Sequence, residues 1–403
     1  MNIAITGATG SLGRHLLFEV VKQHLDNLND LKIFILGRNK KSNSLENRIQ
    51  AIFAESGFSY LGTGNSIDHI KHNLFSNVLV CIPCELQDDN LKRNKCSDLL
   101  KNYDIDFFYH IASLTDFRDD HKTQENLKTI NFNGTKRLLE SISKLSLGEF
   151  CYVSSAYSCG KTCGNIKPDY TNLDQDFRNP YERIKLETEI LIRDFCEKRN
   201  IRYRIFRPST FCGRLLEQPQ GYINKFDVFY EWAAFFLYLK TKQISNMTEL
   251  FQAPLHYPVR MCRKKNAGLN IVPVDYAAKI MLQVALQNHP DISFHLCNKG
   301  ETPHELYVPM MLNLCNVQDH EIVEEMPRDM TRLEKFYYRT VGKIFTPYVC
   351  SDPIHFDTSN IITVEKKAGF TCPTIDKECF QKLMEYAKSK YFGLDVSMTS
   401  NKD

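Results

Sequence analysis

Two residues with complementary proton chemistry, Tyr181 and Lys185, lie four positions apart at the start of a predicted helix. At that spacing the two side chains share one helical face. An ammonium group beside a phenol favours the phenolate and lowers the tyrosine pKa. Such a tyrosine can exchange a proton with a carbonyl or alcohol oxygen while a nicotinamide exchanges a hydride. The pair alone is common on protein surfaces, so its meaning depends on the motifs around it.

A serine motif and a second strand end lie where such a tyrosine would act. The sequence Val153–Gly160 (VSSAYSCG) follows a predicted buried strand. Ligands of open α/β sheets bind at the carboxyl ends of strands, and a hydroxyl there, that of Ser155, would hydrogen-bond a developing oxyanion. Arg207–Gly213 (RPSTFCG) ends another predicted strand, where we expect a nicotinamide amide to lie.

A glycine-rich turn, Thr6–Gly13 (TGATGSLG), joins the first predicted strand to the first predicted helix. Gly7 permits the tight turn, Gly10 lets the backbone approach a pyrophosphate, and Gly13 lets helix and strand pack closely. The helix N-terminus then presents free N–H groups and a positive dipole to the anion. A glycine triplet alone is weak, but this position in the chain favours dinucleotide binding over an ordinary turn. The residues expected to contact the cofactor here are Gly7, Thr9, Gly10, Ser11, Leu12 and Gly13.

The residues after the second predicted strand select between the two nicotinamide cofactors. NAD binders usually place an acid there to hold the ribose 2′-hydroxyl, whereas an arginine accommodates a 2′-phosphate. This chain has Leu36–Lys41 (LGRNKK), which is basic and lacks an acid. Arg38 can form a charge-assisted fork to phosphate, although a solvated basic loop would give the same pattern. We predict NADP(H) as the cofactor.

Alternating apolar runs and helical patterns in the first half predict a parallel α/β sheet. Buried parallel strands are expected to be continuously apolar, and the runs IFIL, VLVCI, DFFYH and FCYVS fit this expectation. The predicted strands are Asn2–Thr6, Lys32–Leu36, Asn77–Pro83, Asp106–His110, Phe150–Ser154, Arg202–Arg207 and Phe294–Cys297, and Leu269–Val272 has a strand-like pattern. The predicted helices are Ser11–Gln23, Lys128–Leu145, Tyr181–Lys198 and Asp275–Gln287. The predicted fold class is therefore α/β, a Rossmann-type doubly wound parallel sheet.

The pattern changes after Gly213 and predicts a second region. Residues 214–267 mix Gln, Pro and Gly with one aromatic block, whereas residues 268–300 return to the style of the first half. The chain from 301 onward holds mixed helices and irregular pieces. We therefore predict an NADP-binding domain over 1–213, completed by 268–300. A smaller, discontinuous, mostly helical substrate-binding lobe would comprise 214–267 and 301–403.

Composition argues against several other classes of protein. The 403 residues carry a formal net charge of +3 without a long basic run, which argues against a nucleic-acid binder. The 14 cysteines are scattered, and the single C-x-x-C pair, Cys81 with Cys84, has no second pair near it, so we expect no metal site. No stretch reaches the roughly 20 apolar residues of a membrane span. Because the first residues, MNIAITG, form a strand directly, we expect no cleaved signal and a cytoplasmic protein.

Together these motifs resemble an extended short-chain dehydrogenase/reductase over roughly residues 1–215. In chain order the motifs are the glycine turn, His110–Ser113 (HIAS), Asn131–Thr135 (NFNGT), the serine motif, Tyr181 with Lys185, and Arg207-Pro208. The resemblance implies that Tyr181 is the acid/base, that Ser155 is the family's Ser/Thr, and that Lys185 holds the cofactor ribose and tunes the tyrosine. It also places beside the cofactor or the active site Ala112, Ser113, Asn131, Pro208, Ser209 and Thr210. Glu85-Leu86 stands where the family often has Asp-Leu beside the adenine.

A narrower resemblance is to thioester reductases. The segments DFFYHIASLTDF (106–117), LNIVPVDYAAK (269–279) and SFHLCN (293–298) are similar to terminal reductase domains of peptide and polyketide synthases and to fatty acyl-CoA reductases. Those enzymes usually have Thr where Ser155 stands, and Ser keeps the hydroxyl. The resemblance implies NADPH-dependent reduction of an acyl thioester to an aldehyde, and leaves open a second reduction to the alcohol. These 403 residues show no carrier-protein or adenylation segment, so we expect the acyl group, on CoA or on an acyl- or peptidyl-carrier protein, to come from outside.

Several features allow more than one interpretation. The aromatic block Phe226–Leu239 either lines an acyl pocket, faces a carrier protein or membrane surface, or forms the core of the small lobe. The cations Arg260, Arg263, Lys264 and Lys265 either meet a phosphopantetheine or acidic carrier protein, or form a solvated charge run. The same fold also serves nucleotide-sugar epimerases or dehydratases, hydroxysteroid-type dehydrogenases and non-catalytic NADP(H)-binding sensors or scaffolds. Arg38 disfavours the sugar enzymes, and the intact set of Ser155, Tyr181 and Lys185 disfavours a sensor.

Overall fold

A parallel sheet of seven strands forms the centre of the structure, a computed structural model that describes residues 1–40, 42–62, 67–87 and 95–395, apart from the side chains of residues 95 and 96. Lys41 of the basic loop and residues 396–403 of the predicted small lobe lie outside the described residues. The strands are β1 (Asn2–Thr6), β2 (Lys32–Gly37), β3 (Leu79–Pro83), β4 (Ile105–His110), β5 (Leu147–Val153), β6 (Arg202–Pro208) and β7 (Ser293–Leu296).

The strand order is β3-β2-β1-β4-β5-β6-β7, and every neighbouring pair is parallel. The direction in which strands are added reverses between β1 and β4. In a doubly wound sheet this reversal opens a crevice at the carboxyl ends of the strands, where ligands bind. The α/β, Rossmann-type fold predicted from the sequence is confirmed.

Fifteen α-helices are defined in the described part of the chain. They are α1 (Ser11–Gln23), α2 (Leu45–Ile52), α3 (Phe58–Leu61), α4 (Ile67–Asn73), α5 (Lys95–Leu100), α6 (His121–Leu127), α7 (Gly134–Ile142), α8 (Pro180–Lys198), α9 (Phe229–Lys240), α10 (Val274–Leu286), α11 (His304–Leu314), α12 (Arg332–Arg339), α13 (Val341–Val349), α14 (Ile362–Ala368) and α15 (Lys377–Ser389). None of these helices is long and apolar enough to cross a membrane.

Short strands tie the remaining segments together in five pairs. They are Gly164–Ile166 with Ile354–Phe356, Thr210–Cys212 with Ile271–Pro273, Leu255–His256 with Val317–Gln318, Arg260–Cys262 with Glu321–Val323, and Gly268–Leu269 with Thr302–Pro303. Three of these pairs join residues 214–267 or 268–269 to the chain beyond 301, and so connect parts that are distant in sequence.

Helices cover both faces of the central sheet, which explains why most residues of its strands are apolar. On one face α1 and α10 pack against each other and against the sheet, and their buried residues belong to one core cluster. On the other face α7 and α8 bury Leu138, Leu139, Ile192 and Cys196 against Phe108 and Phe150. Residues 274–296, which follow the aromatic block, therefore complete the core of the first half of the chain.

A second core lies beside the sheet. Its buried residues come from both segments of the predicted substrate-binding lobe, and include Trp232, Phe236, Met261, Met311, Phe345 and Phe380. One helix of the predicted lobe packs elsewhere, because Val364 of α14 lies in the core of α1 and α10. The Tyr276 hydroxyl of α10 donates a 2.9 Å hydrogen bond to Glu365 of α14. The domain boundaries stay a prediction, and α14 packs across them.

Candidate active site

A cleft of about 1030 Å³ runs along the carboxyl ends of the central strands. Residues at or just beyond the ends of six strands line it: Thr6, Gly37, Cys84, Ile111, Val153 and Pro208. The cleft brings together almost all of the residues that the sequence singled out. These are Gly7, Thr9, Gly10, Ser11, Leu12, Gly13, Arg38, Glu85, Leu86, Ala112, Ser113, Ser155, Tyr181, Lys185, Pro208, Ser209 and Thr210.

The turn between β1 and α1 requires glycine at two positions. Gly7 has a φ of +78°, and a Cβ atom there would lie 2.6 Å from the backbone nitrogen of Ala112. A Cβ atom on Gly13 would lie 2.2 Å from the carbonyl oxygen of Gly7. Any side chain at either position would therefore push α1, β1 and the loop after β4 apart.

The N-terminus of α1 faces this turn without a side-chain cap. Gly10 is the N-cap residue, and its backbone N–H donates to the carbonyl oxygen of Gly7 at 2.9 Å. The Ser11 hydroxyl is buried and has no hydrogen-bond partner among the described residues. Free N–H groups, a positive dipole end and an unpartnered hydroxyl are the groups that bind a phosphate oxygen. The local geometry therefore fits the pyrophosphate of a dinucleotide.

Three cations, Arg38, Lys40 and Arg48, line the cleft near the end of β2. Arg48 lies on α2 and was not singled out from the sequence. Its guanidinium donates to the Arg38 carbonyl oxygen at 2.7 Å and to the Thr9 hydroxyl at 2.9 Å. Burial lowers the pKa of Arg48, and the positive charge of Arg38 lowers it further. The structure thus holds a second guanidinium beside the predicted one, and this makes the end of the cleft suited to a dianionic phosphate.

A buried histidine joins β1 to β4 beneath the cleft. His110 Nδ1 lies 2.8 Å from the Thr6 hydroxyl, and its Nε2 lies 2.8 Å from the Thr135 hydroxyl. The Thr6 oxygen also accepts hydrogen bonds from the backbone N–H groups of Ile111 and Ala112, at 3.1 and 3.2 Å. Burial, and secondarily the charge of Lys185, lower the pKa of His110 to about 3. A neutral His110 therefore fixes the loop that borders the cleft near the glycine turn.

Asn131 does not line the cleft, although the sequence placed it beside the cofactor or active site. It is buried, and its amide oxygen accepts from the Leu114 N–H at 2.7 Å while its amide nitrogen donates to the Leu114 carbonyl oxygen at 2.9 Å. This pair of bonds holds the loop after β4. Ser113 and Thr115, the residues on either side of Leu114 in that loop, line the cleft.

The first turn of α8 places Tyr181 in the cleft. Asn179 is the N-cap residue, and its side-chain oxygen accepts from the Glu182 N–H at 3.1 Å, while Pro180 supplies the fixed φ of the first helical position. Lys185, one turn later, is buried, and its Nζ lies 5.7 Å from the centre of the Tyr181 ring. Sequence spacing therefore correctly brought these two residues to one face of the helix.

Ser155 lies two residues beyond the end of β5. Its hydroxyl accepts a 3.2 Å hydrogen bond from the Tyr157 N–H, which starts a short 3₁₀ turn. Ser155 is 6% exposed, and its side chain borders the same cleft as Tyr181. Because it accepts from the backbone, the hydroxyl hydrogen remains available for a substrate oxygen.

Burial sets the protonation of the two ionisable residues of this set. It raises the pKa of Tyr181 to about 12, against a smaller lowering by the Thr115 side chain. It lowers the pKa of Lys185 to about 7, against a raising by the carboxylate of Glu189. The expectation that Lys185 lowers the tyrosine pKa is wrong for this geometry. Burial dominates, and the lysine amine donates to the Val153 carbonyl oxygen at 2.9 Å.

The end of β6 is held by Asn270, which lies between the short strands Gly268–Leu269 and Ile271–Pro273. The Ser209 hydroxyl donates to the side-chain oxygen of Asn270 at 2.7 Å, and the Thr210 N–H donates to the Asn270 carbonyl oxygen at 3.1 Å. The Ser209 hydroxyl hydrogen is therefore used within the protein. Pro208 and Thr210 complete this wall of the cleft.

Beyond Tyr181 the cleft continues as an apolar channel between α9 and α13. Residues of each helix that line it follow helical spacing, namely Glu231, Ala234, Phe235 and Tyr238 on α9, and Val341, Ile344, Phe345 and Tyr348 on α13. The opposite side of α9, with Trp232 and Phe236, lies in the second core. The core interpretation of the aromatic block therefore holds for one face of α9, and the other face lines the cleft; that this cleft takes an acyl group stays a prediction.

The basic residues 260–265 are paired within the protein. The ion pairs are Arg260 with Glu334 and Asp329, Arg263 with Glu305, Lys264 with Asp352, and Lys265 with Glu324. This favours the solvated charge run over a site for phosphopantetheine. The described residues contain no cluster of three or more His, Cys, Asp or Glu side chains that could hold a metal ion.

Comparisons with known proteins agree with this architecture. The crystal structure described as the terminal R domain from the myxalamid PKS-NRPS biosynthetic pathway superposes with a TM-score of 0.67. The two sequences are 19% identical, and the match covers 97% of this chain and 91% of that chain. A thiolation-reductase di-domain from an archaeal non-ribosomal peptide synthetase gives 0.65 at 17%, over 97% and 76%. UDP-glucuronic acid 4-epimerase from Bacillus cereus gives 0.59 at 16%, over 96% and 99%. At these identities the likenesses establish the fold.

Sequence comparison adds a family. A linear gramicidin synthase from Brevibacillus parabrevis is 20% identical over 396 residues, which are 95% of this chain but 7% of that protein. The chain thus spans a small part of that relative's length. Residues 5–281, well over half of the chain, match the male sterility protein family of NAD-binding domains. The chain therefore belongs to the male sterility protein family of NAD-binding domains.

Proposed function

We propose that this protein is an NADPH-dependent reductase of acyl groups carried as thioesters on CoA or on a carrier protein. One observation carries the proposal: a single cleft has a phosphate-binding, basic end and an apolar channel, and Ser155, Tyr181 and Lys185 line that same cleft. A dinucleotide and a long acyl substrate can thus meet at one set of proton-transferring groups.

The cofactor end of the cleft is assigned to NADPH. The α1 N-terminus and the Ser11 hydroxyl would hold the pyrophosphate, and Arg38 with Arg48 would hold the 2′-phosphate. Lys185 would hold the nicotinamide ribose, as the family resemblance implies. When bound, the cofactor supplies the hydride.

The residues of the chain manage the proton and the charge on oxygen. Tyr181 is protonated at neutral pH, and burial raises its pKa above the ordinary value of 10. It donates a hydrogen bond and then a proton to the thioester oxygen as that oxygen gains charge. Ser155 donates a second hydrogen bond to the same oxygen. The tetrahedral hemithioacetal then breaks its carbon–sulfur bond, releasing a thiol and an aldehyde. Overall, thioester, NADPH and one proton give aldehyde, thiol and NADP⁺; a second equivalent of NADPH with one proton gives the alcohol.

The apolar channel favours a thioester over a nucleotide sugar. A sugar nucleotide needs polar partners along its length, whereas most residues of α9 and α13 that line the channel are apolar or aromatic, and Glu231 is the only charged one among them. The similarity to structures described as a terminal R domain and a thiolation-reductase di-domain supports the same choice. The epimerase likeness reflects the common fold, which hosts many reactions.

The test follows NADPH oxidation at the absorbance of the reduced nicotinamide with a panel of acyl-CoAs and acyl-carrier proteins, and with NADH as the control cofactor. We expect oxidation that is matched by release of free thiol and by formation of aldehyde or alcohol. The carrier that supports turnover identifies the acyl donor. Tight NADPH binding without oxidation in the presence of every thioester would contradict the proposal and favour a carbonyl or sugar substrate, or a sensor.

A further inference from the structure

Tyr348, on the channel helix α13, reaches across the cleft to the first turn of α8. It lies 169 residues from Asn179 in sequence, yet its hydroxyl accepts a 2.8 Å hydrogen bond from the Asn179 side-chain nitrogen. The same hydroxyl donates a 3.0 Å hydrogen bond to Oε1 of Glu182. Asn179 and Glu182 flank Tyr181 in the turn that presents its phenol to the cleft.

The contact between Tyr348 and Glu182 is buried and includes a carboxylate. Tyr348 is 8% exposed and Glu182 is fully buried. Glu182 Oε2 also accepts from the Arg178 N–H at 2.9 Å, and the guanidinium of Arg178 lies 5.5 Å from the centre of the Tyr348 ring. A buried carboxylate that loses a hydrogen-bond donor has no water to replace it, so this arrangement is costly to disturb.

An aromatic side chain links the same two tyrosines directly. The Phe117 ring lies edge-on to Tyr181, with centroids 5.3 Å apart, and edge-on to Tyr348, with centroids 6.1 Å apart. All three rings line the cleft. Tyr348 therefore touches the environment of Tyr181 on two sides, through the backbone turn and through Phe117.

We propose that Tyr348 is a positioning residue for Tyr181, through which the channel helix α13 fixes the phenol of the acid/base in its reacting position. Its hydroxyl holds the two residues that flank Tyr181, and its ring supports Phe117. The proposal rests on the proposed function for the role of Tyr181, but the contacts themselves do not depend on the substrate. Displacement of a reacting group by about 1 Å can lower a rate by about a hundredfold. Removal of the Tyr348 hydroxyl alone therefore tests the positioning role, because even a small shift of Tyr181 would slow the reaction measurably.

The test compares Tyr348→Phe with a matched control, Tyr337→Phe. Tyr337 is also buried, lies on the neighbouring helix α12 and accepts a 2.9 Å hydrogen bond from the Trp232 indole, but it does not line the cleft. Both variants lose one buried hydroxyl from the same core. A loss of stability that is merely structural would therefore affect both of them.

Two measurements are made on the full chain. In single turnovers with NADPH and a thioester we expect Tyr348→Phe to slow hydride transfer by about tenfold or more, with dissociation constants for NADPH and thioester changed by less than about threefold. Tyr337→Phe keeps the wild-type rate. In hydrogen exchange we expect peptides that cover residues 179–190 to exchange faster in Tyr348→Phe than in wild type, and to be unchanged in Tyr337→Phe.

The outcomes separate the two proposals. If no thioester is turned over by wild type, the proposed function fails, and hydrogen exchange alone decides whether Tyr348 holds the α8 turn. If wild type turns over and Tyr348→Phe keeps both its hydride-transfer rate and its exchange pattern, the positioning role is overturned. Equal slowing in both variants, or slowing that comes only from weaker binding, overturns it as well.

Discussion

The side-chain amine of Lys185 donates a 2.9 Å hydrogen bond to the carbonyl oxygen of Val153, the last residue of β5. This bond joins α8, which carries Tyr181, to the strand that leads into Ser155. Lys185, the third residue of the candidate active site, therefore fixes Tyr181 and Ser155 relative to each other. Lys185 is 2% exposed, and burial lowers its pKa to about 7, so its charge changes near neutral pH.

The buried Lys185 makes stability depend on pH. In the unfolded chain its pKa has the ordinary value of 10.5, and in the folded chain it is about 7. Between these two pH values the unfolded chain binds more protons, so this contribution to the free energy of unfolding rises with pH, by up to about 1.4 kcal/mol per pH unit. It is fully present above pH 10.5 and is lost as the pH falls towards 7.

Lys185→Met, which removes the amine, tests this dependence. We expect the difference in unfolding free energy, wild type minus variant, to increase from about pH 7 to about pH 9.5 in urea titrations of both proteins without cofactor. Other titrating groups are common to both proteins and cancel in the difference. A difference that stays constant over this range would show that Lys185 keeps its ordinary pKa in the fold.

Tyr181→Phe should abolish turnover and leave NADPH affinity nearly intact. The phenol is assigned the proton that the substrate oxygen receives, and phenylalanine keeps the ring that packs against Phe117. A lost general acid costs about 10²–10⁴-fold in rate. Turnover is measured by NADPH oxidation and affinity by NADPH fluorescence, with Tyr337→Phe as the matched control. Unchanged turnover would remove Tyr181 from the mechanism.

Arg48→Gln should weaken NADPH binding more than NADH binding, and Arg38→Asp should do so more strongly. Both guanidiniums are assigned to the 2′-phosphate, which NADH lacks. A hydrogen bond to a charged group contributes roughly 1.5–3 kcal/mol, so we expect the NADPH dissociation constant to rise by about 10- to 100-fold. Arg263→Gln, which breaks an ion pair with Glu305 outside the cleft, is the control. Equal effects on both cofactors would refute the phosphate role.

The elements of the sheet could be predicted because their signals are local. β1 and α1 have the predicted bounds, since an apolar run, a glycine turn and an amphipathic helix follow one another without interruption. The segment 128–145 was predicted as one helix, but Lys128–Asn133 is a wider π-helical turn before α7. That wider turn contains Asn131, whose side chain bonds the loop after β4, and helical periodicity carries no signal for such a bond.

The candidate site could be predicted in part for the same reason. Ser155, Tyr181 and Lys185 belong to short motifs, and the sheet brings strand ends together regardless of sequence distance. Arg48 belongs to no such motif, and the sequence around Tyr348 does not indicate which residues its hydroxyl contacts. Arg48 lies ten residues after Arg38 on a helix with ordinary polar neighbours, and Tyr348 meets α8 only through tertiary packing. Residues recruited by packing between distant elements can be found only from the structure.

Two glycine substitutions should separate folding from cofactor binding. In Gly13→Ala the new Cβ atom would lie 2.2 Å from the Gly7 carbonyl oxygen, so the helix must move and the thermal midpoint should fall. In Gly10→Ala the closest contact is 3.3 Å, from the same oxygen, so we expect a smaller loss of stability. The methyl group of Gly10→Ala would instead occupy the approach to the pyrophosphate. We therefore expect weaker NADPH binding from a folded protein; normal NADPH affinity in Gly10→Ala would contradict this path for the pyrophosphate.

Ala234→Phe should narrow the channel between α9 and α13 and discriminate by acyl length. Ala234 lines the channel and is partly buried, so a phenyl ring there occupies space that a long acyl chain needs. Loss of apolar contact amounts to about 1–3 kcal/mol for each excluded methylene group, so kcat/KM for a long-chain thioester should fall by at least about tenfold. A two-carbon thioester, which does not reach this wall, should keep its kcat/KM, and NADPH affinity should not change. Ala54→Phe makes the same change at an exposed position outside the cleft and should affect neither substrate. Equal losses for long and short thioesters would place the acyl chain elsewhere.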